Sequence, residues 1–202
     1  MKTVQFPGLA GLTAFVRPLD LSDLDSCVEV ESAFPEQERC SREKFIYRLT
    51  ICPDLCLGLF VENSGQVELV GHVIATRVPG NRVTDGAMEM PKNWDGSRDV
   101  VQVNGEAIGN DVNGRFVGVH SLAIRTGYQF KGLGRALMDE YIESARNGIE
   151  SAQSIVIIAH DHLIRFYESF GFKNLGPSPC AFGGGGWYDM VSFLINFWDS
   201  IH

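Results

Sequence analysis

The segment "YQFKGLGRALM", Tyr128–Met138, decides how we interpret this chain. It follows "RFVGVHSLAI" (115–124), whose β-branched and apolar residues predict a buried strand. From about Gly134 to Arg146 the apolar residues recur at helical spacing, so we expect a helix to begin near the second glycine. A strand, a glycine turn and a helix in this order direct backbone N–H groups and the positive end of a helix dipole at one point. The segment therefore predicts a turn that binds phosphate.

The glycine spacing restricts which phosphate ligand fits. The Gly-Lys-Ser/Thr ending of the nucleoside triphosphate loop is absent, and Leu137 stands where the dinucleotide fingerprint has its third glycine. The remaining pattern is Gln129-x-x-Gly132-x-Gly134. Glycine at such positions permits close approach of a ligand and, where the turn needs it, a positive φ. On its own the pattern is also compatible with a tight turn that binds nothing.

The composition predicts one soluble domain over residues 1–202. The chain has 202 residues, 45% of them hydrophobic and 21% charged, which is enough to bury one core. No stretch reaches the roughly 18 apolar residues that a membrane helix needs, and Pro7, Gly8 and Gly11 interrupt the N-terminal run. We therefore expect no membrane association and a cytoplasmic location.

Net charge and cysteine spacing restrict the partners. A net charge of −8 argues against nucleic acid, which requires Lys and Arg on one face, and favours a cationic ligand. The five cysteines are odd in number and lack CxxC spacing, so we expect neither a disulfide framework nor a metal site. Cys52 and Cys56 could share a helix face, but they flank Pro53, and a packing role is favoured.

Strands and helices should alternate along the chain. In the first part of the chain we expect a strand at Ala14–Asp20, a helix capped by Asp20 or Ser22 and running to about Phe34, and a helix from Ser41 to about Ile51. Two β-rich runs around the turn "NSGQ" (63–66) come next, followed by an excursion rich in Gly, Asn and Asp at Pro79–Gly114. After the glycine turn and its helix we expect a strand "SIVIIAH" (154–160), a helix "HLIRFYESFGF" (162–172) and a last strand "WYDMVSFLINF" (187–197). Neither a repeat nor a linker divides them. The order predicts an α/β or α+β sheet covered by helices.

The Gln-x-x-Gly-x-Gly pattern matches the pyrophosphate loop of the GNAT acetyltransferases, whose ligand is acetyl-coenzyme A. The order of elements also resembles the GNAT fold, a mixed central sheet flanked by helices. Within that superfamily the sequence is similar to the arylalkylamine (serotonin) N-acetyltransferases. The stretches that carry the resemblance are "ESAF" (31–34), "LTICPDLCLGLFVE" (49–62), "VHSLAIRTGYQFKGLGRALMDEYI" (119–142) and "FYESFGFKNLGP" (166–177). The long excursion and the Gly-rich tail have no counterpart in it.

The resemblance implies where acetyl-CoA binds and which residues are catalytic. The strand residues that would pair with the pantetheine arm are Leu122, Ala123 and Ile124, and those that would hold the pyrophosphate are Gln129, Phe130, Lys131, Gly132, Leu133, Gly134 and Arg135. Tyr167 corresponds to the tyrosine that protonates the departing thiolate, and His120 to a strand histidine that faces the amine. Judged by residue type alone, both are more often packed core residues. Vertebrate members carry a second histidine where this chain has Gly118, so a relay of two histidines is in doubt.

The reaction requires such groups. An alkylammonium has a pKa near that of lysine, about 10.4, so a base must remove a proton before the amine attacks the thioester. Direct attack in a ternary complex needs no acyl-enzyme. The amine pocket implied by the resemblance consists of Phe34, Glu36, Glu38, Ile158, Cys180 and Trp187. His160 and His162 could line the site, but helix capping or solvent exposure is favoured.

Other functions stay open at this point. The charged stretch around Glu36 and Glu38 would suit a polyamine such as spermidine or putrescine, which fungal relatives acetylate. An acetyltransferase of protein N-termini or lysines and a non-catalytic acyl-CoA-binding module are the rivals from other classes. We expect a monomer or a weak dimer.

Overall fold

The computed structural model describes residues 2–4, 12–149 and 152–194. The strands are β1 (Lys2–Val4), β2 (Thr13–Pro18), β3 (Leu57–Asn63), β4 (Gln66–Val78), β5 (Val101–Val103), β6 (Glu106–Ile108), β7 (Phe116–Ile124), β8 (Ser154–Ala159), β9 (Lys173–Pro177) and β10 (Tyr188–Phe193). The helices are α1 (Leu24–Glu31), α2 (Arg42–Ile51), α3 (Asp85–Met88), α4 (Leu133–Gly148) and α5 (Ile164–Glu168).

The chain divides into two compact units. Unit 1 comprises Met1–Ala75 and Ser121–Glu143, and unit 2 comprises Thr76–His120 and Ser144–His202. The strands β4 and β7 and the helix α4 each contribute residues to both units. A single domain over the whole chain stays a prediction.

Unit 1 is an antiparallel sheet with helices packed on it. Its strands follow the order β1-β2-β3-β4, and the end of β7 lies beside β4, where the Arg125 N–H donates to the Val70 carbonyl at 2.9 Å. The core joins side chains of α1 and α2 to the sheet. Its buried members are Phe15, Leu19, Cys27, Val30, Cys40, Phe45, Leu49, Cys56, Phe60, Leu69, Ile74 and Ala123.

Unit 2 contains the parallel strand pair. In it, β7 pairs with β8 in parallel, β8 pairs with β10 antiparallel, and β10 pairs with β9 antiparallel. The excursion supplies α3 and the β5–β6 hairpin, which turns at Asn104 and Gly105 with φ of 53° and 81°. Parallel and antiparallel pairs together make the sheet mixed, with helices beside it, as expected.

Local signals placed several boundaries correctly. Ser41 caps α2 by accepting the Lys44 N–H at 3.3 Å. The Asp20 carboxylate accepts the Ser22 N–H at 2.7 Å, but it caps a 3-10 turn at Leu21–Asp23, and α1 follows that turn without a side-chain cap. The hairpin turn has positive φ at both central residues, Ser64 (51°) and Gly65 (81°), which matches the right-handed twist of its strands. The first helix is shorter than expected, because α1 ends at Glu31, before Phe34.

Four strands were not expected from the sequence, and two of them, β5 and β6, form the hairpin of the excursion. The segment of β9 contains Asn, Gly and Pro and resembles a loop, yet it pairs with β10 through a β-bulge at Asp189/Met190. The fourth, β1, has only three residues and pairs with β2. The end of the expected last strand, 195–197, lies outside the described residues. Over the described ranges, no helix is long and apolar enough to cross a membrane.

Candidate active site

The glycine turn predicted from the sequence connects the end of β7 to the start of α4 in unit 1. The Gln129 side-chain amide donates to the Ile124 carbonyl at 3.1 Å and so ties the turn to the end of the strand. The hydrogen bond from the Ala136 N–H to the Gly132 carbonyl, 3.1 Å, opens the helix. The N–H groups of Leu133 and Gly134 precede it and belong to the helix-terminal donors that lack an intrahelical acceptor. These donors and the helix dipole make this end of α4 suited to an anion.

The two glycines of the turn are required for different reasons. Gly132 has a φ of +77°, which strains any residue with a side chain. Gly134 has no such φ, and a Cβ built there would meet only Ile124 Cγ1, at an ordinary 3.7 Å. The protein itself therefore has room for a side chain at 134. An open glycine at the start of a helix is the feature that close approach of a pyrophosphate requires, so the turn fits the group that the sequence implies.

The side chains beside the turn add positive charge. Lys131 and Arg135 are exposed, and the Lys131 ammonium lies 5.2 Å from the centroid of the Tyr128 ring. The Tyr128 hydroxyl donates to Glu68 Oε2 at 2.9 Å. Phe130 has a φ of 60° and a fully exposed side chain. The candidate strand residues alternate in exposure as a strand should, with Ala123 buried and its two neighbours half-buried.

The candidate base His120 lies in unit 2, where both of its ring nitrogens have partners. Nε2 lies 2.7 Å from the Thr76 hydroxyl, and Nδ1 lies 3.2 Å from the Met88 sulfur. The Thr76 hydroxyl also lies 3.4 Å from the Gly109 carbonyl, a much longer contact. Both contacts can be hydrogen bonds if the ring proton is on Nδ1. Nδ1 then donates to the Met88 sulfur, and the Thr76 hydroxyl donates to Nε2. In that tautomer Nε2 is the basic nitrogen.

Position 118, where vertebrate relatives carry a second histidine, is crowded in this structure. A Cβ built at Gly118 would lie 2.9 Å from Cγ1 of Val78, which is buried in the unit 2 core. A histidine at this position would require Val78 to move. A side chain at position 118 is therefore disfavoured in this fold.

Tyr167 is a buried member of an aromatic group. Its ring makes edge contacts with Phe166 and Phe172, at centroid distances of 5.1 and 5.7 Å. Burial raises the pKa of Tyr167 to about 12, so the hydroxyl keeps its proton at neutral pH. Within the part of the chain that the structure describes, no hydrogen bond to this hydroxyl is formed.

Three of the expected amine-pocket residues belong to one cluster in unit 2. Ile158, Cys180 and Trp187 are members of a hydrophobic cluster that also contains Met88, the contact of His120. The other members are Val78, Val83, Ala87, Phe116, Val156, Phe182 and Val191. The Trp187 indole N–H donates to the Phe182 carbonyl at 2.7 Å and so orients its ring.

The other three expected amine-pocket residues lie in unit 1. Phe34 is half-buried against that unit's core, while Glu36 is exposed and Glu38 half-buried in a 3-10 turn at Glu36–Glu38. The Arg39 guanidinium holds the Phe34 carbonyl at 2.8 Å. The segment therefore presents carboxylates on a folded turn.

Helix capping or solvent exposure is the role that the sequence favours for His160 and His162, and neither side chain caps a helix. His160 occupies the N-cap position of a 3-10 turn but makes no capping hydrogen bond with its side chain. Its ring instead stacks on Trp187 at 4.0 Å and on His162 at 5.7 Å. His162 is exposed to solvent, which is one of the two roles that the sequence favours. His160 therefore extends the aromatic part of the unit 2 cluster.

The cysteines are free and buried. Burial is the main reason that the thiol pKa values of Cys27, Cys40, Cys56 and Cys180 lie above the ordinary range, at about 11 for Cys40 and about 12 for Cys56 and Cys180. Such thiols are poor nucleophiles at neutral pH. Among the described residues, no group of three or more His, Cys, Asp or Glu side chains is placed to hold a metal ion.

Two buried polar groups were missed from the sequence. Glu31, His72 and Ser121 form a hydrogen-bonded network in unit 1. In unit 2 the fully buried Asp189 lies 2.9 Å from Nη1 of Arg82, an ion pair that lacks hydrogen-bond geometry at either carboxylate oxygen. A charged or imidazole side chain inside an otherwise apolar run could have indicated a buried polar residue, as in "VEVESAF" (28–34) and "VGHVIA" (70–75).

Comparison with known proteins connects these features to a family. The sequence profile described as "Acetyltransferase (GNAT) domain" matches residues 63–192. A serotonin N-acetyltransferase from Mesocricetus auratus is 26% identical over 135 residues, which is 67% of this chain and 54% of that protein. The chain thus spans about half the length of this curated relative.

Solved structures agree with the fold. The loading GNATL domain of CurA from Lyngbya majuscula superposes with a TM-score of 0.64 at 17% identity, over 89% of this chain and 96% of that one. The GphF GNAT-like decarboxylase, solved in complex with isobutyryl-CoA, gives a TM-score of 0.61 at 17% identity, over 90% and 100% of the two chains. Because the family profile covers well over half of its length, the chain belongs to the GNAT acetyltransferase family.

Proposed function

We propose that this protein is an N-acetyltransferase that transfers acetyl from acetyl-CoA to the primary amine of a small arylalkylamine of the serotonin, tryptamine or phenethylamine type. The observation that carries the acetyl-CoA part of the proposal is Gly134, an open position where the chain has room for a side chain and carries none. The arylalkylamine acceptor rests on the similarity to serotonin N-acetyltransferase. Family membership supports an acetyltransferase activity.

Acetyl-CoA, the acetyl donor, binds at the glycine turn and at the end of β7 before it. The Leu133 and Gly134 N–H groups bind the pyrophosphate, with Lys131 and Arg135 adding positive charge. Backbone groups of Leu122, Ala123 and Ile124 pair with the pantetheine arm. When bound, acetyl-CoA supplies the thioester and a thiolate leaving group.

His120 removes the amine proton in this proposal. Its Nε2 lies 2.7 Å from the Thr76 hydroxyl, and in the tautomer with the proton on Nδ1 a proton can reach the ring through Thr76 and ordered water. A second histidine is unnecessary, because a single base is sufficient for a proton that leaves as the amine attacks.

Tyr167 assists the departing sulfur. Its pKa of about 12 exceeds the roughly 8.5 of a simple thiol, so complete proton transfer to a thiolate is unfavourable by roughly 3 to 4 pKa units. The hydroxyl therefore acts first as a hydrogen-bond donor to the developing charge. The buried, protonated thiols of Cys40, Cys56 and Cys180 favour direct attack in a ternary complex over an acyl-enzyme.

A polyamine is the second candidate acceptor. Glu36 is exposed and Glu38 half-exposed on one 3-10 turn, and carboxylates attract a substrate with several ammonium groups. Either acceptor is a small cationic amine that undergoes the same reaction. A monomeric or weakly dimeric state and a cytoplasmic location remain predictions.

A thiol-release assay with acetyl-CoA tests the proposal. The acceptors are tryptamine, serotonin, phenethylamine, spermidine, putrescine and a lysine peptide at equal concentrations. We expect the highest kcat/KM with an arylalkylamine. A preference for spermidine or putrescine would select the polyamine alternative, and turnover of the peptide alone would indicate a protein acetyltransferase. CoA binding without thiol release from any acceptor would indicate a non-catalytic module.

A further inference from the structure

A buried carboxylate in unit 1 holds three separate parts of the chain. Glu31 Oε1 accepts the Cys40 N–H at 2.8 Å. Glu31 Oε2 accepts the Ser121 hydroxyl at 2.7 Å and lies 2.9 Å from His72 Nε2. Glu31, His72 and Ser121 are 2%, 0% and 4% exposed, so water does not screen these contacts.

The network does not have the geometry of a nucleophilic triad. In a triad the carboxylate and the serine bind opposite nitrogens of the histidine. Here both Glu31 and Ser121 lie on Nε2, at 2.9 and 3.1 Å. Nδ1 of His72 is buried and makes no hydrogen bond within the described residues. The serine proton consequently has no relay to a second nitrogen, which leaves the network a structural role.

The carboxylate is ionised at neutral pH. Burial alone would raise the pKa of Glu31, but the hydrogen bonds and charge of His72, the Cys40 N–H and the Ser121 hydroxyl outweigh it and hold the pKa below its usual value. A cation also lies beside Cys40, where Nη1 of Arg48 is 3.3 Å from the sulfur. An ionised acceptor makes each of these hydrogen bonds stronger than a neutral one would.

The three contacts have a particular place in the chain. Glu31 is the last residue of α1, and Cys40 directly precedes Ser41, the cap of α2. Glu31 thereby closes the ends of the segment 32–39, which contains the acidic turn. Ser121 follows His120 on β7. One side chain thus joins both ends of the acidic segment to the strand of the candidate base.

We propose that Glu31 is a positioning residue for the amine acceptor, holding the segment 32–39 in place against β4 and β7 through His72 and Ser121. This inference rests on the proposed function, because that function makes the segment part of the amine pocket. Without the Glu31 carboxylate, the segment has to be ordered when the amine binds. The cost of ordering appears in the amine KM, while the glycine turn that would bind acetyl-CoA is unaffected.

The experiment compares Glu31→Ala and Glu31→Gln with a matched control, Glu29→Gln. Glu29 is an exposed acid on the same helix, two residues before Glu31. Amide hydrogen exchange of peptides covering 32–40 is measured beside the KM of the amine, the KM of acetyl-CoA and kcat. Gln can still accept the Cys40 N–H but carries no charge, so it should restore part of what Ala loses.

For Glu31→Ala we expect exchange in 32–40 to rise about tenfold or more, the amine KM to rise roughly 10-fold to 100-fold, and the acetyl-CoA KM to stay within about twofold. Glu31→Gln should lie between Ala and the wild type, and Glu29→Gln should match the wild type. If Glu31→Ala does not fold, Glu31→Gln carries the same comparison.

Three results would overturn the inference. Exchange in 32–40 no faster than in the control would show that Glu31 does not hold the segment. Faster exchange with an unchanged amine KM would show that the segment's order is irrelevant to the acceptor. A uniform rise in exchange over unit 1, with both KM values raised together, would make Glu31 an ordinary core residue. A wild type that acetylates no amine would refute the proposed function, and exchange alone would then decide whether Glu31 holds the segment.

Discussion

Substitution of Gly134 should affect the stability of the fold and the affinity for CoA differently. Gly134 is the second residue of α4, and a Cβ there meets only Ile124 Cγ1 at 3.7 Å. Alanine has a higher helix propensity than glycine by about 1 kcal/mol, so Gly134→Ala should leave the unfolding free energy unchanged or raise it by up to that amount. Gly132→Ala should instead lower it by roughly 1 to 2 kcal/mol, because Gly132 has a φ of +77°.

Ligand affinity should change in the opposite direction. If the pyrophosphate contacts the backbone at Gly134, a methyl group there displaces it and weakens CoA binding by about tenfold or more, which corresponds to about 1.4 kcal/mol. Valine should weaken binding further. Thermal unfolding gives the stability change, and calorimetric titration with CoA gives Kd.

The matched control is Gly148→Ala, at the other end of α4. A Cβ at Gly148 meets no heavy atom within 4 Å, so the protein has room for a side chain there too. We expect this variant to change stability only, with the Kd of CoA as in the wild type. Wild-type CoA affinity in a folded Gly134→Val protein would refute the assignment of this turn to the pyrophosphate.

Three further predictions follow from the buried and titratable groups. Tyr167→Phe should lower kcat by about 100-fold with little change in the Kd of CoA, and an unchanged kcat in a chemistry-limited assay would make Tyr167 a packing residue. His120→Gln should lower kcat/KM at neutral pH, and the ratio of wild-type to variant kcat/KM should shrink between about pH 6 and 9, because more of the amine is already unprotonated in solution at higher pH. If the pH profiles of kcat/KM are parallel for the two proteins, His120 is not the base. The unfolding free energy should fall from about pH 8.5 upward, because the unfolded chain releases thiol protons that the folded state retains up to about pH 11 at Cys40 and about pH 12 at Cys56. Urea titrations at pH 7.5, 9 and 10 measure this slope, and equal stabilities would contradict the raised thiol pKa values.

Local chemistry in the sequence determined much of this molecule. The Ser41 cap, the Ser64–Gly65 turn and the Gln129-x-x-Gly132-x-Gly134 turn each depend on residues within a few positions of one another. A capping hydroxyl, a positive φ and a helix start are short-range properties, so they are visible without knowledge of the fold. The family resemblance depended on the same local stretches.

Long-range pairing was decided only by the tertiary structure. The segment of β9 resembles a loop because its strand state depends on β10 being beside it, and β-propensity is largely a property of such neighbours. The partners of His120 are equally remote, since Thr76 is 44 residues and Met88 32 residues away in sequence. Glu31 meets His72 and Ser121 across 41 and 90 residues. Periodicity shows that a position faces the core, but which buried polar groups meet there is set by strand register and helix packing, so the fold must form before these contacts exist.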